Sequence, residues 1–504
     1  MSIDTLSAYR TLCQCTFGPN QTDIGELQSS GSIEMWIESQ TNKPISSWYK
    51  RFERDQNRSD HRDGVLYATS WTGLTLDSDY EKQEYVDHLR QRVAYILTQL
   101  FVVSTRDPAL SPVARRSAFC LYFDGLSERA FGNFRELLKF VSTSPVMGEY
   151  LTFIDNMSNE AHQADENYAR EILQLFTLGP VKLEGNGKPV LDSEGRPVPT
   201  YTQEDIEQLA KVFTGWKFAK RTSGHERYME PLEPIGEHNQ DEKRILGKTF
   251  PAGQSASEDL DSFVEHLMNQ SNLYTYIAYF FISKMVTSNP KPGHVRRVRN
   301  AFINSGGDMQ TLITAILTDQ VALHSSDTDG KVRDPLIVFT HSLRALGAKL
   351  SRGESVWAKN FNWYDRMLPM SAPSVFYYYQ HDDAPSDPAL EGHFAPEFNI
   401  YEWNNIYQYG REIKELVVQF NHHQKGWEID SKWDDLYWKN TPETDLDLIN
   451  AFDDRLFAGQ MTATTKSACL AFLEECPRHN ESYYADIRAL VMNLVISPEF
   501  IVQR

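Results

Sequence analysis

Cysteine is scarce in this chain. Five residues in 504, at Cys13, Cys15, Cys120, Cys469 and Cys476, are too few and too odd in number for a disulfide framework. The Cys13-x-Cys15 pair has no His or Cys cluster nearby and reads as two ordinary helix cysteines. No run of eighteen apolar residues occurs, which excludes a bilayer-spanning helix. The stretch "SIDTLSAYRTL" after Met1 lacks the charged head and apolar run of a signal peptide. The chain is therefore expected either to stay inside the cell or to have lost an export signal. Basic residues are outnumbered, 50 Lys and Arg against 69 Asp and Glu, leaving a net charge of −19. Nucleic acid and anionic membranes are poor partners for such a body, and the local Arg296, Arg297 and Arg299 do not overturn that.

Familiar catalytic motifs are missing too. There is no G-x-S-x-G elbow, no H-E-x-x-H, no Walker loop and no C-x-x-C. The D-x-D-G piece at Asp327 and Asp329 lacks the terminal acid of a calcium loop and reads as a turn. His422 and His423 are adjacent, so on a helix they point apart and cannot share a metal as an i,i+4 pair can. His381, Asp382 and Asp383 read as the polar mouth of a loop rather than as metal ligands. No metal site and no cofactor is assigned.

What the chain does have is helical periodicity. "YVDHLRQRVAYILTQLFVV" sets Leu89, Val93, Ile96, Leu97 and Leu100 on one stripe, the pattern of a core-facing helix. Comparable stripes cover 131–142, 165–178, 202–215, 258–287, 291–320, 334–347, 408–420 and 482–497. Alternating strand patterns are nearly absent. The exception is 181–200, where Asn186-Gly187 and Glu194-Gly195 mark the turns of a β-hairpin. Residues 371–398 are too proline-rich for a helix and too aromatic for a disordered linker. They read as a long ordered loop, a kind of segment that often carries function. The expected architecture is all-α, with a main helical domain over 1–350 and a C-terminal loop and helices over 351–504 packed on it.

One segment concentrates polar groups: "DENYAREILQLFTLGP", residues 165–180. At helical spacing Tyr168, Ile172, Leu175 and Phe176 face the core, while Asn167, Arg170, Glu171 and Gln174 share the adjoining face. Asp165 is placed to cap the start and Gly179 to stop the helix. Thr202 to Asp205 resembles a capping box opening a second helix, which closes at Gly215 before Trp216.

The joined pattern "ENYAREILQLFTLG…YTQEDIEQLAKVFTGW" resembles the signature of a bacterial family known as domain of unknown function 1800. The resemblance extends through "YFDGLSERAFGNFRELLKFVSTSPVMGEYLTFIDN", "EHNQDEKRILGKTFPAG", "SAPSVFYYYQ…APEFNI" and "LVMNLVISPEFIVQ", so it covers nearly the whole chain. It departs at Ser144, where the family has His before Pro-Ala-Met, and at Asn239, where the family has Asp after His. The resemblance supplies no activity. It implies frequent export or envelope association, and frequent pairing with a sulfatase-like family.

The residues themselves suggest a site in which Glu166, Glu171 and His238 do acid–base chemistry. Asn156, Asn167, Arg170, Trp216 and Lys243 would bind the substrate. Carboxylates beside cations can be tuned apart, one ionised and one protonated, while Arg and Lys hold an anionic group and Trp stacks on a ring. The competing reading is structural: Glu166–Arg170 and Asn167–Glu171 are i,i+4 pairs that commonly just tie a helix. The expected function is hydrolase- or lyase-type chemistry on a polar small molecule, glycan or anionic substrate. The alternative is a non-catalytic helical protein that binds or assembles with an exported sulfatase-like partner.

Overall fold

The computed structural model describes residues 3–58, 63–76, 87–108, 110, 112–159, 162–220, 222, 224–324, 330–347, 367–380, 383–385, 392–401, 406–408, 410–411, 444–476 and 481–503. The expectations for Asp327, Asp329, His381, Asp382, His422 and His423, and for the helix over 408–420 apart from residues 408, 410 and 411, lie outside these residues.

The architecture is all-α, as the periodicity predicts. Side-chain caps mark where several helices begin. Thr202 and Asp205 form the expected capping box before Gln203–Val212, and Ser255 with Glu258 does the same for Ala256–Met268. The long predicted stripes at 258–287 and 291–320 each break into two helices: Ala256–Met268 with Ser271–Met285, and Pro292–Asn304 with Met309–Leu317.

Two helices lie wholly inside. Every residue of His88–Leu100 is buried, and so is every residue of Pro335–Ala345. A helix buried all round is expected to be apolar all round. His88–Leu100 instead carries Arg90, Gln91, Arg92 and Gln99, so its polar groups must be satisfied inside the protein.

The 181–200 insertion folds back twice through the bridges Val181–Pro199, Leu183–Pro189 and Leu191–Pro197. Its turns fall where expected, with Gly187 and Gly195 at φ +87° and +79°. Among the described residues three short antiparallel ribbons add to it: 217–218 with 232–233, 243–245 with 248–250, and 331–332 with 502–503. The last ties the end of the chain to the segment that enters Pro335–Ala345.

The polar segment at 165–180 is not one regular helix. An α-helix spans Asn167–Glu171, and a π-helix follows over Ile172–Thr177. The Thr177 hydroxyl donates to the Ile172 carbonyl across that wider turn. π-Turns are uncommon and are found disproportionately at functional sites.

Candidate functional site

The residues singled out in the sequence fall into two groups. On the surface, Arg170 pairs with Glu166 at 2.8 Å, and Gln203 donates to the same Glu166 oxygen at 2.9 Å. Asp165 ties Asn156 to Asn167: its backbone N–H donates to Asn156 Oδ1 at 2.8 Å, and its Oδ1 accepts from the Asn167 N–H at 2.8 Å. The second group is buried. Asp259 Oδ2 receives Lys243 Nζ at 2.8 Å and His238 Nε2 at 2.9 Å, and the Lys243 and Asp259 side chains have no exposed surface. Lys243 also donates to the carbonyls of Asn239 and Asp241, at 2.8 and 3.0 Å, which uses its three protons. His238 Nδ1 lies 3.0 Å from the Thr214 carbonyl. The groups meet through the 214–216 turn, where Gly215 N–H donates to the Asn156 carbonyl at 3.0 Å.

Trp216 lies beside both groups but is only 3% exposed, its indole N–H directed at the Val212 carbonyl. Glu171 is buried, with Oε2 lacking a hydrogen-bond partner among the described residues. Burial raises its carboxyl above the ordinary range, against the pull of Arg170. Of the family departures, Ser144 starts the short helix Pro145–Tyr150, and the Asn239 amide is spent on Asp241. None of the residues proposed from sequence lines the cleft described next.

That cleft, of about 130 Å³, opens where the π-helix meets the aromatic loop. Gln174 and Leu175 of the π-helix form one wall, Tyr276 and Phe280 of Ser271–Met285 another, and Phe376, Tyr377 and Tyr379 the third. Gly179 ends the polar segment at φ +74°, and a Cβ there would sit 2.7 Å from the Tyr276 ring. The glycine that closes the signature therefore admits the tyrosine that walls the cleft. Tyr377 sits at φ +66°, an uncommon backbone for a bulky residue and a strain of the kind concentrated at ligand-binding sites. Its hydroxyl is held 3.1 Å from that of Tyr95.

Lys284 forms the floor. Its Nζ lies 4.5 Å from the Tyr379 ring centroid and 5.5 and 5.6 Å from those of Phe280 and Tyr377, within cation–π range. Desolvation is the main cause that pulls its pKa from 10.5 down to about 8, with Glu397 the leading opposing charge.

Behind Lys284 lies a much smaller chamber of about 10 Å³, lined by Arg92, Lys331, Arg333, Asp334 and Glu397 among others. Lys331 is neutralised by Glu397 at 2.6 Å, and Asp334 Oδ2 accepts from Tyr95 and Tyr379 at 3.0 and 3.1 Å. Arg333 donates to His341 Nδ1 at 2.6 Å and to the Phe500 carbonyl. Burial, helped by the charges of Arg333 and Arg344, drives the His341 pKa well below its ordinary value. Cys13 faces the same chamber, its thiol pushed up to about 11 by burial, and is not in a disulfide; Cys15 is buried beside it in the same helix. Asp383, the described member of the expected polar mouth, pins the loop by accepting from the Gln380 N–H and Asn399 Nδ2 at 2.8 and 2.7 Å. Among the described residues no group of three or more His, Cys, Asp or Glu is arranged to hold a metal.

Sequence reasoning missed this centre because its parts come from Arg92, Lys284, 331–334, 377–379 and Glu397, with no local spacing to join them. Two signals pointed at it: the aromatic loop, and the charged residues inside a buried stripe at 88–100.

Fold and centre together define an all-helical protein with an aromatic cleft that ends on a buried lysine and a cation-rich chamber. The chain matches the family described as protein of unknown function DUF1800 over residues 10–502, and it belongs to that family. No curated protein and no solved structure matches it.

Proposed function

We propose that the cleft is an active site of hydrolase or lyase type in which Lys284 is the general base. The observation that carries this is its position: a buried lysine, framed by ring faces, at the junction of a cleft of about 130 Å³ and a charged chamber. With a pKa near 8, roughly a tenth of the side chain is neutral at pH 7, against well under a thousandth for an ordinary lysine. Neutral Nζ accepts a proton from a C–H or O–H of the ligand, or from a water attacking it, and becomes an ammonium. The positive field of Arg92 and Arg333 stabilises the negative charge left behind. Aromatic walls suit a flat or apolar ligand body.

In this reading Glu166, Arg170 and Gln203 fix the start of the segment that supplies Gln174, and the His238–Asp259–Lys243 group anchors the following turn. Both are positioning elements for the cleft. The test is turnover of a panel of aryl and alkyl esters, phosphate esters, sulfate esters and 2-hydroxy acids, read by mass spectrometry. Activity should rise with an inflection near pH 8 and vanish in Lys284→Met. Turnover that survives Lys284→Met unchanged would end this reading. No turnover, joined to binding of a protein partner at the cleft, would favour the binding and assembly role instead.

A further inference from the structure

We propose that the chamber is the seat for one anionic oxygen of the cleft's ligand, which makes the ligand class an aryl or otherwise apolar acid: a carboxylate, or a phosphate or sulfate ester. The proposal rests on the cleft being the ligand site and adds what that ligand must carry.

Charge and hydrogen bonding lead to it independently. The chamber and its mouth hold Arg92, Lys284, Lys331 and Arg333 against Asp334 and Glu397, an excess of cations among buried side chains. Buried charges are normally matched, because an unmatched one is strongly disfavoured. Asp334 already serves two tyrosine hydroxyls and the Leu336 N–H, and Glu397 is spent on Lys331. Arg92 is 5% exposed, yet its Nε and Nη1 have no hydrogen-bond partner among the described residues. Its remaining nitrogen makes one long contact, 3.5 Å to the Lys284 carbonyl. Buried guanidinium donors left open, facing a cavity, are an unmet demand for an acceptor, and a charged one matches best.

Size sets the rest. At about 10 Å³ the chamber takes one oxygen-sized atom, so the body of the ligand stays in the cleft of about 130 Å³. Lys284 lines both spaces and would lie beside the bond that joins tip to body.

The test is calorimetric titration of the whole chain with benzoate, phenyl phosphate and phenyl sulfate. Their neutral counterparts benzamide and phenol, and chloride and inorganic phosphate alone, are titrated beside them. At least one aryl anion should bind, its neutral counterpart at least tenfold more weakly, and Arg92→Met should weaken the anion by at least tenfold while leaving the neutral ligand unchanged. Equal binding of charged and neutral ligands overturns the proposal on the natural protein alone, whether or not Arg92→Met folds. So does binding of chloride or inorganic phosphate that no aryl anion displaces, which would mark an isolated ion site, and so does absence of binding by all three aryl anions. None of these measurements requires turnover, so an inactive protein that binds aryl anions leaves this proposal standing while the catalytic reading falls.

Discussion

Lys284 rests its ammonium on the face of Tyr379, and the hydroxyl of that same ring donates to Asp334. One tyrosine thus holds a cation by its π-face and a carboxylate by its edge, which keeps two opposite charges in place without letting them neutralise each other. The predictions below follow from that arrangement and from the segments that support it.

Lys284 should lower the stability of the fold. Its pKa falls from 10.5 to about 8 on folding, chiefly through desolvation, so the folded state disfavours the ammonium. The sign follows: stability contributed by the neutral amine is present above pH 10.5 and is lost as pH falls through 8. The full shift corresponds to about 3 kcal/mol. Lys284→Met should therefore gain roughly 1–3 kcal/mol at pH 7 and lose the rise in stability between pH 8 and 10.5. Urea denaturation at several pH values measures both, and a variant less stable than the parent at pH 7 would contradict the assignment.

Glu397 is the charge that most supports the ammonium form of Lys284. Glu397→Gln should move the titration of Lys284 below about 8. The rate of Lys284 modification by an amine-reactive aryl reagent, followed against pH, reports that midpoint. A midpoint that stays or rises would show that the two groups are not coupled.

Gly179→Ala and Gly195→Ala separate backbone strain from the shape of the cleft. Both positions have positive φ, +74° and +79°, but only at Gly179 would the new methyl meet an atom within 4 Å, the Tyr276 ring. Gly195→Ala should cost about 1 kcal/mol and leave ligand binding alone. Gly179→Ala should cost more and also weaken any ligand of the cleft. Equal losses for the two variants would remove Gly179 from the wall.

Lys243→Met and Arg170→Lys should behave oppositely. Lys243 and Asp259 are fully buried, so losing the cation leaves a carboxylate uncompensated and should cost about 3–5 kcal/mol. The Arg170–Glu166 pair is only half-buried, its side chains 40% and 31% exposed, and Arg170→Lys should change stability by less than about 0.5 kcal/mol. Thermal denaturation of both variants decides whether the buried group or the surface pair holds this region together.

Much of the fold was legible because periodicity and caps are local. The stripe at 88–100, the capping box at 202–205 and the turns at Gly187 and Gly195 all stand where the residues put them. The face of the 165–180 segment was not legible. Spacing of 3.6 residues sets Asn167, Arg170, Glu171 and Gln174 together and sends Leu175 to the core. Leu175 does pack against the core, but the π-turn follows Glu171 and both Gln174 and Leu175 also line the cleft, while Arg170 pairs outside with Glu166. A π-turn leaves no mark in a hydrophobic pattern read at one period. The chamber was invisible for another reason: its charges are joined by tertiary packing alone, and a lone lysine in a helix stripe looks like any other.

The ribbon between 331–332 and 502–503 has a consequence for how the protein is made. Gln503 lines the chamber and donates from Nε2 to the Met285 carbonyl at 3.0 Å, one residue beyond Lys284. During synthesis the helix bearing Lys284 emerges some two hundred residues before that plug exists. The wall of the chamber is thus complete only once 331–332 and 502–503 have paired, which makes the centre a product of long-range closure rather than of any one segment.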